Sequence, residues 1–390
     1  MNPVQSSQRR IVLTVLFLLI FGQVMLFSAS GFMGIQRYNA EFYFSIRQGA
    51  CALLGLAMMF LLSRFKVGFW KSVTPYLFAA QLLLIALTLF SPFRLQAQGA
   101  SRWLNLGGLT LQPSELARIS LTFYAGYILS KNEVVGFSYK HWLGHGALIG
   151  LLLGMIFKQP DLGTTVLLIL VVMGVLFISG IKPLMFLGMT LSGAVALGIA
   201  MLSSEYRRRR LAAFLNPWSE PQGSGFQSIQ SLLSIHSGKI AGVGIGNGNS
   251  KLFYLPEVHT DFIFSLTAEE LGFIGVVILL IAFAVLGFLL FRAAGKLSDS
   301  YSRYVVFGLS LSLMLQVCVN IGGVTGIIPI KGLPLPFFSW GRSALITHLA
   351  MIGIILSLIR GQTGKSMSTS QATIASIQRE LLDLTRPRVG

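Results

Sequence analysis

Long apolar runs separated by short charged segments dominate this sequence and constrain its fold more than any other feature. Each run approaches the ~20 residues that an α-helix needs to cross the hydrocarbon of a bilayer. The runs are too continuously apolar to be the alternating strands of a membrane barrel. The sequence therefore predicts an all-α integral membrane protein with about ten transmembrane helices. The predicted spans are 11–30, 47–62, 75–91, 114–130, 143–157, 162–180, 184–203, 262–291, 304–324 and 343–359.

The charge content excludes a large water-facing domain. Only 11% of the residues are charged and 54% are hydrophobic, whereas soluble domains carry about 25% charge. We therefore predict one membrane domain over 1–360 and a cytoplasmic tail over 361–390. Within the tail, Ile374, Ile377, Leu381 and Leu384 recur at helical spacing and predict a short amphipathic segment.

The net charge of +17 does not indicate nucleic-acid binding, because the cations form no single stripe. They lie between the apolar runs, and their distribution there predicts the orientation of the chain in the membrane. In the short loops, Lys and Arg favour the side that carries the N-terminus by about two to one, and such an excess marks the cytoplasmic face. An even number of spans then places both termini in the cytoplasm. One long extracytoplasmic loop, about 204–260, follows between helices 7 and 8 and contains the run Arg207 to Arg210.

Three acids fall within predicted spans: Glu115, Glu269 and Glu270. Ionisable groups at membrane depth are costly and are usually paired or functional. Arg118 lies three residues after Glu115, so an internal ion pair and a cavity-lining role are both open for Glu115. Glu269 and Glu270 could line a path for a polar substrate.

Two aspartates stand where a polar loop meets an apolar helix. Asp161 follows Pro160, and a helix cap after a proline turn is the simpler interpretation. Asp261 precedes the eighth span; it could be an N-cap, or a carboxylate whose pKa is raised by partial desolvation toward the work of a general base.

Two motifs of other chemistries are not supported. Gly242, Gly244, Gly246 and Gly248 alternate with other residues, but no strand–helix unit surrounds them as a dinucleotide site requires; a flexible or close-packed loop is predicted. His141 and His145 have the spacing of a zinc pair without the intervening glutamate. No metal site is predicted.

Several short segments, in order and over nearly all of Phe27 to Arg360, resemble the SEDS family (shape, elongation, division and sporulation), with its FtsW branch most similar. They include Gln112-Pro113-Ser114-Glu115-Leu116, Gln159-Pro160-Asp161-Leu162-Gly163-Thr164, Leu255 to Phe264, and Lys331-Gly332-Leu333-Pro334-Leu335-Pro336-Phe337. One departure is Ser339-Trp340-Gly341-Arg342-Ser343, where the family usually has Ser-Tyr-Gly-Gly-Ser, so Arg342 adds a cation to a turn of small residues.

The resemblance implies a peptidoglycan glycosyltransferase that polymerises lipid II during division. It would act at the outer face of the bacterial cytoplasmic (inner) membrane, at the division septum. Its partners would be lipid II, a class B penicillin-binding protein, other division proteins and membrane lipid. The family's catalytic aspartate falls on Asp261. The resemblance also carries substrate-binding roles to Arg47, Glu115, Asp161 and Glu257.

The chemistry of that reaction suggests further residues. An inverting displacement needs one base for the acceptor hydroxyl and positive groups for the leaving pyrophosphate. Arginine suits phosphate geometry. The candidate phosphate partners are Arg102, Lys251, Lys331 and Arg207 to Arg210. A divalent cation, Mg²⁺ or Mn²⁺, could assist at the pyrophosphate.

Three alternatives stay open at the level of sequence. A lipid II flippase would depend on the intramembrane acids more than on Asp261. A non-catalytic division scaffold would tolerate loss of Asp261. A RodA-like polymerase of cell elongation would share the chemistry but serve another process.

Overall fold

The computed structural model describes residues 3–90, 94–97, 100–106, 109–135 and 139–361. Each predicted apolar run overlaps one helix, but the predicted spans 11–30 and 75–91 are shorter than their helices, which cover Pro3–Tyr38 and Val67–Phe90. The tail and its predicted amphipathic segment lie outside the described residues. The helices are α1 Pro3–Tyr38, α2 Tyr43–Leu62, α3 Val67–Phe90, α4 Pro113–Val135, α5 Tyr139–Lys158, α6 Leu162–Ile178, α7 Pro183–Leu202, α8 Glu205–Leu215, α9 Phe226–Ser237, α10 Ile263–Gly295, α11 Ser300–Val324 and α12 Arg342–Gly361.

Seven of the described helices are long and apolar enough to cross a membrane: α1, α2, α3, α7, α10, α11 and α12. Helices α5 and α6 are apolar but shorter over their hydrophobic part. Helix α4 carries Glu115, Arg118, Lys131 and Glu133, so its hydropathy is lower. The chain is accordingly a mostly helical, multi-pass membrane protein.

Local sequence fixes where these helices begin and end. Asp161 caps α6 by accepting a hydrogen bond from the Thr164 amide at 3.2 Å, which confirms the cap interpretation. The same helix ends at Ile178, and Gly180 follows with a φ of +76°, a conformation that glycine adopts at little cost. Pro183 then starts α7 at a position where its missing N–H has no consequence.

Two features were not predicted. A three-stranded antiparallel sheet, β1 Arg94–Ala97, β2 Ala100–Leu106 and β3 Leu109–Leu111, connects α3 to α4. The segment predicted as one long loop contains two helices, α8 and α9. Both were missed because these segments are polar or short, and hydropathy detects long apolar runs only.

The core lies around α11 and α12, whose buried faces pack against α1, α4 and α10. Two ion contacts stand at one end of this bundle, between Lys71 and Asp299 at 2.6 Å and between Arg303 and Glu133 at 3.8 Å. Helix α7 differs from the rest, since none of its side chains is buried. It packs only against its chain neighbours α6 and α8 among the frequent helix contacts.

Helix α10 is interrupted at Gly272, whose φ is +66° and ψ −164°. The segment 239–244 inserts at the break and replaces the lost helical hydrogen bonds. The amides of Phe273 and Ile274 donate to the carbonyls of Lys239 and Ile240, and the carbonyls of Glu269 and Glu270 accept from Val243 and Gly244, all at 2.9–3.2 Å. The glycine-rich loop is therefore close-packed, as one of the two sequence interpretations predicted.

Substitution of Gly242 should destabilise this junction. Its φ is +78°, and a Cβ there would lie 2.2 Å from the Glu270 carbonyl oxygen. Gly246 shares the positive φ, +88°, but a Cβ there meets nothing within 4 Å. We expect Gly242→Ala to lower the unfolding temperature of the detergent-solubilised protein more than Gly246→Ala does, because only the first adds a collision to the backbone strain. Equal effects would contradict the close approach.

Candidate functional site

Asp261 lies in a tight turn just before α10. Glu257 starts this turn with a φ of +56°, and its carbonyl accepts the amides of Thr260, Asp261 and Phe262 at 3.1, 3.2 and 3.4 Å. The N-cap of α10 is Phe262, not Asp261. The interpretation of Asp261 as the N-cap of α10 is therefore wrong, and its carboxylate does not cap this helix.

The loop between α11 and α12 packs against this turn. Lys331, Gly332 and Leu333 line a small pocket together with Asp261 and Asn320. Gly332 has a φ of +66°, which favours glycine, and its Cβ position lies 3.4 Å from Asp261 Oδ2, so the loop is in van der Waals contact with the carboxylate. The Asn320 side-chain amide donates to the carbonyl oxygens of Asp261 and Leu333 at 2.9 and 2.8 Å.

The electrostatic environment makes Asp261 an unusual carboxylic acid. Part of its surface remains accessible, yet the protein atoms around it remove most of its hydration. This burial, together with the negative charge of Glu257, raises the pKa of Asp261 to about 7, and Arg210 opposes the shift. A pKa near the working pH is the property that general-base chemistry requires.

Two cations lie near this carboxylate, Arg210 and Lys331. Arg210, on α8, donates to the Ile330 carbonyl at 3.4 Å. Burial and the nearby Arg210 guanidinium lower the pKa of Lys331. Like charges at close range repel one another, and an anion between them would remove that cost. The pair thus resembles a site for a phosphate group.

The turn that contains Asp261 also contacts the segment just before α12. The Trp340 amide donates to the His259 carbonyl at 2.9 Å, and Phe44 packs against both rings with centroids 5.1 Å apart. Gln48 on α2 donates to the Ser339 carbonyl at 2.9 Å. The last interhelical loop is thereby joined to α2 and to the turn of Asp261.

Glu115 and Asp161 belong to a separate, buried cluster. Glu115 accepts from Arg118 at 3.1 Å, and both side chains are almost fully buried, with 2% and 0% exposed. This confirms the predicted ion pair. Arg118 also donates to Gln316, and it lies 3.2 Å from His348 Nε2. Ser114, which neighbours Glu115, contacts the Asp161 carboxylate at 3.5 Å.

Glu269 and Glu270 accept hydrogen bonds from the backbone of 248–250. They do not stand free to line a path for a polar substrate. Glu269 accepts from the Asn249 amide at 2.7 Å and from Ser250. Glu270 accepts from the Gly248 amide at 3.2 Å and from Lys251 at 3.0 Å. Lys251 therefore forms an ion pair with the buried Glu270 carboxylate. The structure does not place it beside Asp261.

Three predicted cations remain. Arg47 lies on α2 with its guanidinium 4.0 Å from the centre of the Tyr43 ring. Arg102 lies in β2, and its side chain is outside the described part of the structure. Arg342 begins α12. Sequence reasoning missed Asn320 and Gln316; the signal available was two amides four residues apart within a predicted span.

The sequence matches the model of the cell cycle protein family FtsW/RodA/SpoVE over residues 8–363. The chain belongs to this family. A relative from Geobacter metallireducens, named probable peptidoglycan glycosyltransferase FtsW, is 41% identical over 89% of this chain and 93% of its own length. Stage V sporulation protein E of Bacillus subtilis is 35% identical over 91% of this chain and 97% of its own.

Solved structures support the same fold. A chain from a peptidoglycan synthase complex, described for its coordination of polymerization and crosslinking, superposes with a TM-score of 0.72 at 32% identity. It covers 90% of this chain and 96% of that chain. The rod-shape-determining protein RodA of Thermus thermophilus gives a TM-score of 0.67 at 29% identity, over 90% and 95% of the two chains. The family resemblance drawn from short motifs is thus confirmed over residues 8–363.

Proposed function

We propose that this protein is a peptidoglycan glycosyltransferase that polymerises lipid II into β-1,4 glycan strands during cell division. The observation that carries the proposal is the half-buried Asp261 carboxylate, with a pKa of about 7, beside the cations Arg210 and Lys331. Membership of the FtsW/RodA/SpoVE family and the names of its relatives support the same activity.

The reaction is a single displacement at the anomeric carbon of the donor. Asp261 removes the proton from the acceptor hydroxyl as its oxygen attacks that carbon. The bond from the carbon to the pyrophosphate oxygen breaks, and the lipid pyrophosphate leaves with the electron pair. Arg210 and Lys331 stabilise the negative charge that develops on it. One attack from the face opposite the leaving group converts an α-linked donor into a β-linked product.

A divalent cation is compatible with this site. Asp261 and Glu257 offer two carboxylates, and Mg²⁺ commonly binds one or two carboxylates together with substrate phosphates. Bound there, the cation would supply further positive charge to the leaving group. Among the described residues, no three His, Cys, Asp or Glu side chains are grouped as a metal site built by protein alone would need.

We place the site at the outer face of the bacterial cytoplasmic membrane. In this arrangement all ten long helices cross the bilayer, both termini are cytoplasmic, and α8, α9 and the turn of Asp261 face outward. The excess of Lys and Arg in the opposite short loops supports this orientation. The proposed location is the division septum, and the proposed partner is a class B penicillin-binding protein, in keeping with the related synthase complex.

Reconstitution distinguishes this function from the alternatives. Purified protein, with and without its transpeptidase, is placed in liposomes with labelled lipid II, and both glycan polymer and lipid movement are measured. A polymerase makes polymer; a flippase moves lipid II across the bilayer without making any. A scaffold does neither. The binding of Glu269 and Glu270 to loop backbone favours the polymerase, because those acids do not stand free along a transport path.

Neutralising the proposed phosphate partners should weaken use of the substrate. Arg210→Gln and Lys331→Gln are each expected to lower kcat/KM for lipid II roughly 10–100-fold, the value of a charge-assisted hydrogen bond. Arg208→Gln is a matched control because Arg208 is an exposed cation on the same helix. Equal kinetics for all three variants would assign these cations to membrane anchoring.

A further inference from the structure

Asn320 connects the turn of Asp261 to the loop that carries Lys331. Its side chain is 5% exposed, and one Nδ2 group reaches the carbonyl oxygens of Asp261 at 2.9 Å and Leu333 at 2.8 Å. A primary amide has two N–H bonds, so it can serve both acceptors at once.

Gln316 extends this contact by one helical turn. It lies four residues before Asn320 on α11, hence about 6 Å along the same face, and donates to the Pro334 carbonyl at 2.6 Å. Two successive loop carbonyls, those of Leu333 and Pro334, are therefore held by two amides of one buried helix. Gly332, with a φ of +66°, allows the chain to turn from Lys331 into this clamp.

The side-chain oxygen of Asn320 indicates that this residue does more than stabilise the fold. Oδ1 is buried with no hydrogen-bond partner among the described residues, and an unpaired buried acceptor weakens the folded state. A reversed amide would face that oxygen toward two carbonyl oxygens, so the hydrogen bonds fix the orientation. A residue kept in spite of such a cost suggests a functional site.

We propose that Asn320 is a positioning residue, which fixes the Asp261 carboxylate relative to Lys331 so that base and phosphate partner act on one substrate. This inference rests on the proposed function, since it gives Asp261 the role of base. Gln316 supports the same loop from the next turn. Neither amide needs to touch the substrate, because each acts through the backbone that it holds.

The test compares Asn320→Leu with Ser310→Ala in polymerisation of labelled lipid II by the full chain with its transpeptidase. Leucine keeps the approximate volume of asparagine and removes both donors. Ser310 is a control on the same helix, since its buried hydroxyl bonds only to the Val306 carbonyl one turn away. For Asn320→Leu we expect kcat to fall about 10–100-fold, as misplacement of about 1 Å can cause, with a smaller change in KM.

Each result has a defined meaning. A wild-type kcat, or a loss that lies in KM rather than in kcat, overturns the positioning role and leaves Asn320 a structural residue. If the leucine variant does not fold, Asn320→Ser, which keeps one donor, is expected to show a smaller loss that again lies in kcat rather than in KM. Failure of the proposed function is separate: it appears as a wild type without polymer or an active Asp261→Asn, and either result overturns the inference as well.

Discussion

Asp261→Asn is expected to lower glycan polymerisation by at least about 10²–10⁴-fold, the contribution of a well-placed general base. The amide keeps the shape of the side chain and cannot accept the proton of the acceptor hydroxyl. The measurement is single-turnover polymerisation of labelled lipid II by purified protein with its transpeptidase. Binding of lipid II and of the transpeptidase should persist, because Arg210, Lys331 and the helices are unchanged.

The loss should not come from unfolding. The pKa of Asp261 is raised from 3.8 to about 7 in the folded protein, so the folded state holds this proton more tightly than the unfolded state. Stability from this group is then lost as the pH rises from about 4 through 7. Asparagine cannot ionise. The variant should therefore be at least as stable as the wild type above pH 7, while it is inactive.

Glu257→Gln serves as the companion variant. Loss of its negative charge lowers the pKa of Asp261, so more of the base is ionised in mild acid. Polymerisation should persist, with the acid limb of its pH profile at lower pH than in the wild type. Near-normal polymer from Asp261→Asn would exclude Asp261 as the base. An unmoved acid limb in Glu257→Gln would assign that limb to another group.

The junction between a polar loop and a long apolar run made Asp261 a candidate, and the family resemblance assigned it the catalytic role. The sequence could not show that Arg210 and Lys331 meet there, since one lies in the polar loop segment that folds into α8 and the other lies far along the chain. Their encounter depends on the packing of α8 against the last loop. The four consecutive arginines look alike in sequence, and only the fold separates Arg210 from Arg208.

For Glu269 and Glu270 the sequence predicted the position in a span but not the partners. Hydropathy places them inside a span, and ionisable groups there usually indicate a path or a partner. Their partners are backbone amides of 248–250, Lys251, and the hydroxyls of Ser250 and of Ser28 on α1. No period or motif reveals that a glycine-rich segment packs into a break in α10. The ten apolar runs were readable because burial in lipid acts on composition alone, whereas this insertion depends on backbone geometry.

The buried ion pair of Glu115 and Arg118 supports a second large effect. Arg118 is fully buried, and its removal would leave the Glu115 carboxylate near Asp161 without its cation. We expect Arg118→Leu to lower the free energy of unfolding by about 3–5 kcal/mol, as breakage of buried pairs does. Thermal unfolding in detergent measures this.

A double-mutant cycle separates the pair from the volume change. Glu115→Gln removes the stranded charge, and the double variant with Arg118→Leu should recover much of the loss, because a buried pair replaced by neutral groups is often tolerated. Arg209→Leu is the control: its pair with Glu205 is exposed, with 73% and 69% of the side chains accessible, so its effect should stay within about 1 kcal/mol. Losses that simply add in the double variant would contradict an energetic coupling between the two residues.

The same variants test how the buried cluster reaches the site. Arg118 donates to Gln316, and Gln316 holds the Pro334 carbonyl, so a chain of hydrogen bonds runs from the ion pair to the loop beside Asp261. If that chain transmits position, Arg118→Leu should lower kcat even at temperatures where the protein remains folded, and Arg209→Leu should not. A folded Arg118→Leu protein with wild-type kcat would limit the ion pair to stability, and the amide clamp of α11 would then hold the loop without it.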